Sequence, residues 1–217
     1  MMLPWHPHLD VWLLLGLPVV GYFWALARLG PQRAALGEPP ATLRHKLCFI
    51  SGVALLWIAS DWPVHELSEQ FLYSVHMVQH LLITLIAPPL LLLGMPPWLL
   101  RLLLRPAPVM AIARKITKPL PALIAFNAAV VLTHWPTLVD LTLRVEGLHF
   151  AAHLFLFVTA LMMWTPVVGP LLELPRLSYP GRMFFLFLQS IIPTVPASFL
   201  TFAEKPIYKF YESAPRI

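Results

Sequence analysis

The chain predicts an all-α fold: a polytopic integral membrane bundle of about six transmembrane helices, N-out and C-out. Three observations carry this. Hydrophobic residues make up 59% of the 217 positions and charged residues 12%, whereas soluble domains carry about 25% charged residues. Apolar runs of about twenty residues recur, each long enough to cross a bilayer as a helix. Proline punctuates nearly every boundary between them, as in EPPA, MPPW and KPLP, where the missing amide donor ends a helix.

Taken in order, the spans form one transmembrane domain over residues 1–217. The first is Leu9–Leu29; "ALA" at Ala25–Ala27 looks like a cleavage site, but no basic segment precedes the run, so a retained span is expected. The second, Leu47–Trp62, ends with Asp61 and Trp62 at the membrane edge. The third, Phe71–Leu93, contains Pro88 and Pro89, which should kink it while neighbouring helices satisfy the freed carbonyls. Residues 96–105, "PPWLLRLLLR", are too short to span, and Trp98, Arg101 and Arg105 among leucines suit a helix lying in the interface. Leu120–Val139 and Leu148–Val168 follow, then Met183–Phe202, with Pro193 and Pro196 as further kink sites. The tail "AEKPIYKFYESAPRI" is short, aromatic and mixed in charge, which suits packing against the bundle end.

The formal charge of +5 is not a nucleic-acid footprint, because the charges sit in the short connections between spans. Arg28, Arg33, Arg44 and Lys46 follow span one; Arg101, Arg105, Arg114, Lys115 and Lys118 follow span three; Arg176 and Arg182 follow span five. The opposite side has Arg144, Lys205, Lys209 and Arg216. Cytoplasmic loops hold the excess of Lys and Arg, so both termini are expected outside the cytoplasm. The single cysteine, Cys48, excludes an internal disulfide and a two-thiol metal site, and it reads as core.

On that topology the histidines sort by depth. His76 and His80 lie in the outer half of span three, His134 near the outer end of span four, and His149 and His153 at the outer start of span five. His6, His8 and His65 read as solvated or interfacial, His65 within the outer loop "SDWPVHELSE", and His45 falls at the cytoplasmic edge. Residues at i and i+4 share a helical face, so "HMVQH" and "HFAAH" each present two imidazoles on one stripe. In span three the stripe extends through Glu69, Tyr73, His76, His80 and Thr84; in span four Asn127 and His134 lie two turns apart on one face. Ionisable groups inside a bilayer face the bundle interior and mark function, and imidazole is a common ligand for copper, zinc and iron. His134 by itself reads as a helix-joining hydrogen bonder; two HxxxH pairs in one leaflet favour a metal. Asp61, Glu69, Tyr73 and Asn127 are candidates for fixing ring orientation from behind the ligands. Met77 points about 100° away from His76, and Met162 and Met163 lie too deep.

Three functions suit this pattern: a copper-holding accessory protein, a haem-binding electron-transfer protein, and an intramembrane zinc hydrolase. Haem takes axial ligands from opposite faces of its ring, which two histidines one turn apart do not supply. In the hydrolase reading, Met77 and Phe150 stand where the acidic residue of H-E-x-x-H would be, so Asp61 or Glu69 would have to serve.

Together "SVHMVQHLLITLIAPPLLLLGMPP", "THWP", "HFAAHLFLF", "WTPVVGP" and "FAEKPIY" resemble the CtaG-type assembly factors of caa(3)-type cytochrome c oxidases. The resemblance runs from about His76 to Tyr211. It implies a multi-pass protein of the bacterial inner (cytoplasmic) membrane that catalyses no reaction and supplies copper, as Cu+ or Cu2+, to the oxidase catalytic subunit. An extracytoplasmic copper donor is a possible partner besides the lipid bilayer, and a homodimer stays open. Carried over by motif, the metal residues are His76, His80, His134, His149 and His153. Ala152 stands where the family often has an acidic residue, and the chain is shorter than many relatives.

Overall fold

The computed structural model describes residues 9–70, 72–203 and 207–208, and for Glu69 the backbone alone. His6, His8, Lys205, Lys209 and Arg216 lie outside the described residues, as does most of the tail. Every regular element described is a helix: α1 Leu9–Arg28, α2 Gly30–Ala35, α3 Leu43–Ser60, α4 Val64–Gln70, α5 Tyr73–Leu81, a π turn Leu82–Ile86, α6 Ala87–Gly94, α7 Pro97–Leu103, α8 Ala107–Ile116, α9 Pro119–Thr133, α10 Pro136–Thr142, α11 Glu146–Val168 and α12 Tyr179–Thr201. Proline occupies the first turn of α2, α7, α8, α9, α10 and α12. Its fixed φ suits that turn and its missing N–H costs nothing there.

Five continuous helical runs are long and apolar enough to cross a membrane: Val11–Arg28, Leu43–Ser60, Tyr73–Gly94, Glu146–Val168 and Tyr179–Phe199. A sixth crossing exists if α8 and α9, bent by 76°, count as one span. The expected fourth span, Leu120–Val139, is interrupted. Pro136 disfavours helix in the residue before it, and Trp135 is extended at φ −66° and ψ 128°, so α9 stops at Thr133 and α10 begins. Large apolar side chains such as Leu13, Leu17, Val20, Met183, Phe184 and Phe187 stay exposed on α1 and α12, as a lipid-facing surface requires.

The third span shows how the chain handles its prolines. Pro88 has no N–H to offer the carbonyl of Thr84, four residues back. That carbonyl instead accepts from Trp164 Nε1 on α11 at 3.0 Å. The π turn falls in the same stretch, with the Ala87 N–H reaching back to Leu82 O. A neighbouring helix thus satisfies the freed group.

Packing runs from α1 to α3, α3 to α6, α6 to α11, α11 to α9 and α9 to α12. Gly94 of α6 lies so close to α3 that a Cβ there would come within 2.7 Å of Phe49 Cα. Small residues at such crossings let helix backbones meet inside lipid. Residues Tyr22, Phe49, Trp98 and Leu99 form one core cluster; Leu123, Phe126, Met163 and Phe185 form another. Trp98 is therefore buried against α1 and α3, and its helix forms where the sequence places it. Helices α4 and α5, the end of α9 and the start of α11 meet at one end of the bundle. Helices α7 and α8 lie at the other.

Candidate metal centre

Three helices, α5, α9 and α11, bring the imidazoles together. His76 and His80 share one face of α5, one turn apart, with ring centroids separated by 4.4 Å. His149 and His153 share a face of α11, at 4.3 Å. Between the helices, His80 and His153 stand at 4.9 Å, His76 and His149 at 5.7 Å, and His76 and His153 at 5.9 Å. His134, the residue capping α9, closes the group 5.1 Å from His80. All five predicted ligands are thus neighbours.

The nitrogens face inward. His80 Nε2 and His153 Nε2 lie 3.1 Å apart. Two ligands of a tetrahedral ion at about 2.0–2.1 Å have nitrogens about 3.3 Å from each other, so this pair already has nearly that spacing. His76, His149 and His153 each offer a ring nitrogen, all within 4.8 Å of one another. That bound is about 1.5 Å wider than the tetrahedral spacing, so the rings draw closer to share one ion. His76 and His149 are buried, and His80 Nδ1 is a buried nitrogen without a hydrogen-bond partner among the described residues.

His134 is oriented from behind. Because α9 ends there, the Val130 carbonyl accepts from His134 Nδ1 at 2.8 Å. Fixing the proton on Nδ1 leaves Nε2 with its lone pair, the state a metal needs. The Tyr208 hydroxyl donates to the His134 carbonyl at 3.1 Å, and the Tyr73 hydroxyl donates to Tyr208 Oη at 3.3 Å. The Tyr73 ring lies 6.0 Å from His76. Burial pushes the Tyr208 phenol up from its ordinary pKa, keeping it a donor.

Asp61 and Asn127 hydrogen-bond to side chains on other helices. Asp61 is buried, its Oδ2 accepting from Trp12 Nε1 at 2.7 Å and Trp57 Nε1 at 2.8 Å, which holds α1 to α3. Asn127 donates to Leu123 O and Gln189 Oε1, each at 2.8 Å, tying α9 to α12. It lies seven residues, about 10 Å, along the helix from His134. Glu69 belongs to α4, its side chain outside the described set.

Two residues join the cluster unforeseen. The segment expected to be an outer loop folds in part as α4, which swings His65 inward to 6.2 Å from His149. Gln79, fully buried beside His80, donates to Ala59 O at 2.8 Å and places Nε2 3.5 Å from His65 Nδ1. Nothing in "VHELSE" marks His65 from the sequence; Glu66 and Ser68 of the same helix are also buried. A cavity of about 460 Å³ between α1, α3, α6 and α11 leads to the site. Leu15, Val53, Leu91 and Phe157 wall it, while Ser60, His65, Glu146, His149 and His153 form its polar end.

Comparison with known families matches residues 20–216 to the family described as cytochrome c oxidase caa3 assembly factor. No curated protein and no solved structure matches the chain.

Proposed function

The chain belongs to the cytochrome c oxidase caa3 assembly factor family, and on that premise we propose that it binds copper in its imidazole cluster and passes the ion to the catalytic subunit of the oxidase. One observation carries the reading: five histidines from three helices converge with ring nitrogens as close as 3.1 Å. An all-nitrogen set suits copper in either oxidation state, and zinc as well; the oxidase client favours copper. Neutral imidazoles hold such an ion without a buried carboxylate. They also exchange by rotating one ring at a time, which a delivery site needs.

The excess of basic residues on the opposite loops supports an N-out, C-out orientation, with the cluster on the extracytoplasmic side of a bacterial inner membrane. His65 extends the series of rings from His149 to the polar end of the cavity, and it serves as the outermost stop on the ion's route. The role is transfer, without catalysis.

Elemental analysis and an optical spectrum of protein purified without a histidine tag test the ligand directly. Copper bound with no haem Soret band is expected; stoichiometric zinc or haem would overturn the assignment. Cells lacking the protein should assemble a copper-poor oxidase that added copper restores. Normal oxidase copper in those cells would refute the delivery role.

A further inference from the structure

The basic end of the bundle carries a second pocket, unrelated to the imidazoles. It has a volume of about 410 Å³ and lies between α7 and α8, lined by Arg101, Arg105, Arg114, Glu173, Leu104 and Met110 among others. Arg101 is fixed in place: Nε donates to Glu173 Oε1 at 2.7 Å and NH1 donates to Glu38 Oε1 at 2.8 Å. Its neighbours hold the guanidinium more firmly charged than usual, and Arg101 in turn holds the Glu173 carboxyl below the ordinary value. Arg114 Nε donates to the Glu173 carbonyl at 3.2 Å, and among the described residues the terminal nitrogens of its guanidinium have no acceptor. Arg105 is exposed and makes no ion pair among the described residues. The guanidiniums of Arg101, Arg105 and Arg114 against the carboxylates of Glu38 and Glu173 leave the group with one net positive charge, on the side of Arg105 and Arg114.

We propose that this pocket binds the phosphodiester headgroup of an anionic phospholipid, held between Arg105 and Arg114. Free phosphate offers the same chemistry, but three features favour the lipid. Leu104 and Met110 give the pocket an apolar side. Helix α8 exposes Val109, Ile112 and Ile116, spaced i, i+3 and i+7, as one apolar stripe, and it is bent 76° from the spanning direction of α9. That is the disposition of a helix lying in the headgroup region. The pocket also flanks the end of α11 opposite His149, about 29 Å along the helix, which matches the thickness of a bilayer core. Glu173 lines the pocket too; Arg101 occupies its Oε1, and its Oε2 is buried without a hydrogen-bond partner among the described residues, so the phosphodiester sits on the Arg105 and Arg114 side. Basic pockets between membrane helices recognise lipid headgroups in this way.

The test titrates the full-length protein in nonionic detergent with phosphatidylglycerol, with phosphatidylcholine as reference, and measures lipid retained through gel filtration. Phosphatidylglycerol should be preferred, and raised salt should weaken it. The double variant Arg105→Gln, Arg114→Gln should lower its apparent affinity roughly ten- to thirtyfold without changing phosphatidylcholine. Lys115→Gln, on the same helix but outside the pocket lining, should leave binding within twofold of the parent. If the double variant does not elute as a folded species, Arg105→Gln alone should show about a fivefold loss. Unchanged retention in a folded variant, or equal retention of the two lipids, would overturn the proposal. Displacement of phosphatidylglycerol by an equal concentration of inorganic phosphate would assign the pocket to free phosphate instead.

Discussion

His153→Ala is the most informative perturbation of the imidazole cluster. His153 occupies its centre: the ring centroids of His149, His80 and His76 lie 4.3, 4.9 and 5.9 Å away, and its Nε2 faces His80 Nε2 at 3.1 Å. Removing a group that merely orients a ligand costs about 10–100-fold in metal affinity. Removing the central ligand should exceed that, at least about 100-fold, or roughly 3 kcal/mol at 1.4 kcal/mol per decade. His134 lies at the edge, 5.1 Å from His80, and His134→Ala should cost about 10-fold. Competition with a chromogenic Cu+ chelator measures the series, with elemental analysis for stoichiometry. His45→Gln is the control, since His45 caps α3 beside Thr42 at the other end of that helix. Helical circular dichroism and elution volume establish that each variant is folded. A folded His153→Ala protein with copper affinity within threefold of the parent would refute the site.

Three structural predictions accompany it. Trp164→Phe deprives the Thr84 carbonyl of its donor and should destabilise the protein by about 1–2 kcal/mol, read as a lower melting temperature in detergent. Gly94→Ala drives a methyl into the Phe49 backbone and should cost about 1–3 kcal/mol by forcing α3 off α6; an unchanged melting temperature would contradict the close approach. Glu173 has a pKa depressed chiefly by its hydrogen bond to Arg101, so its contribution to stability is present above the ordinary carboxylate value and fades as pH falls through the depressed one. Melting temperatures between pH 6 and pH 3 should therefore fall more steeply for the parent than for Glu173→Gln. Equal slopes would show that the pair contributes nothing.

Much of the site was legible because helical spacing is a local property. Once "HMVQH" and "HFAAH" lie in helices, 3.6 residues per turn sets each pair on one face, and the bilayer turns that face inward. His65 was not legible in the same way. Its inward position depends on α4 folding back over α5, which no periodicity of its own announces. Asn127 shows the converse: it shares a face with His134, but its partner is Gln189, contributed by α12. Trp98 likewise matched an interfacial pattern, yet it found a slot against Tyr22 and Phe49.

The amino-acid order alone determined that this chain forms membrane-spanning helices, roughly where each begins, and which residues offer imidazole nitrogens. Apolar length, proline chemistry and helical period act within one segment, so they can be read from it. Which helices touch, where α9 stops short, and how near the five rings approach were decided by the assembled bundle. Inside lipid no hydrophobic gradient selects one helix partner over another. Shape does that work, through contacts such as Gly94 on Phe49 and bonds such as Trp164 to Thr84, and shape exists only once the helices have met.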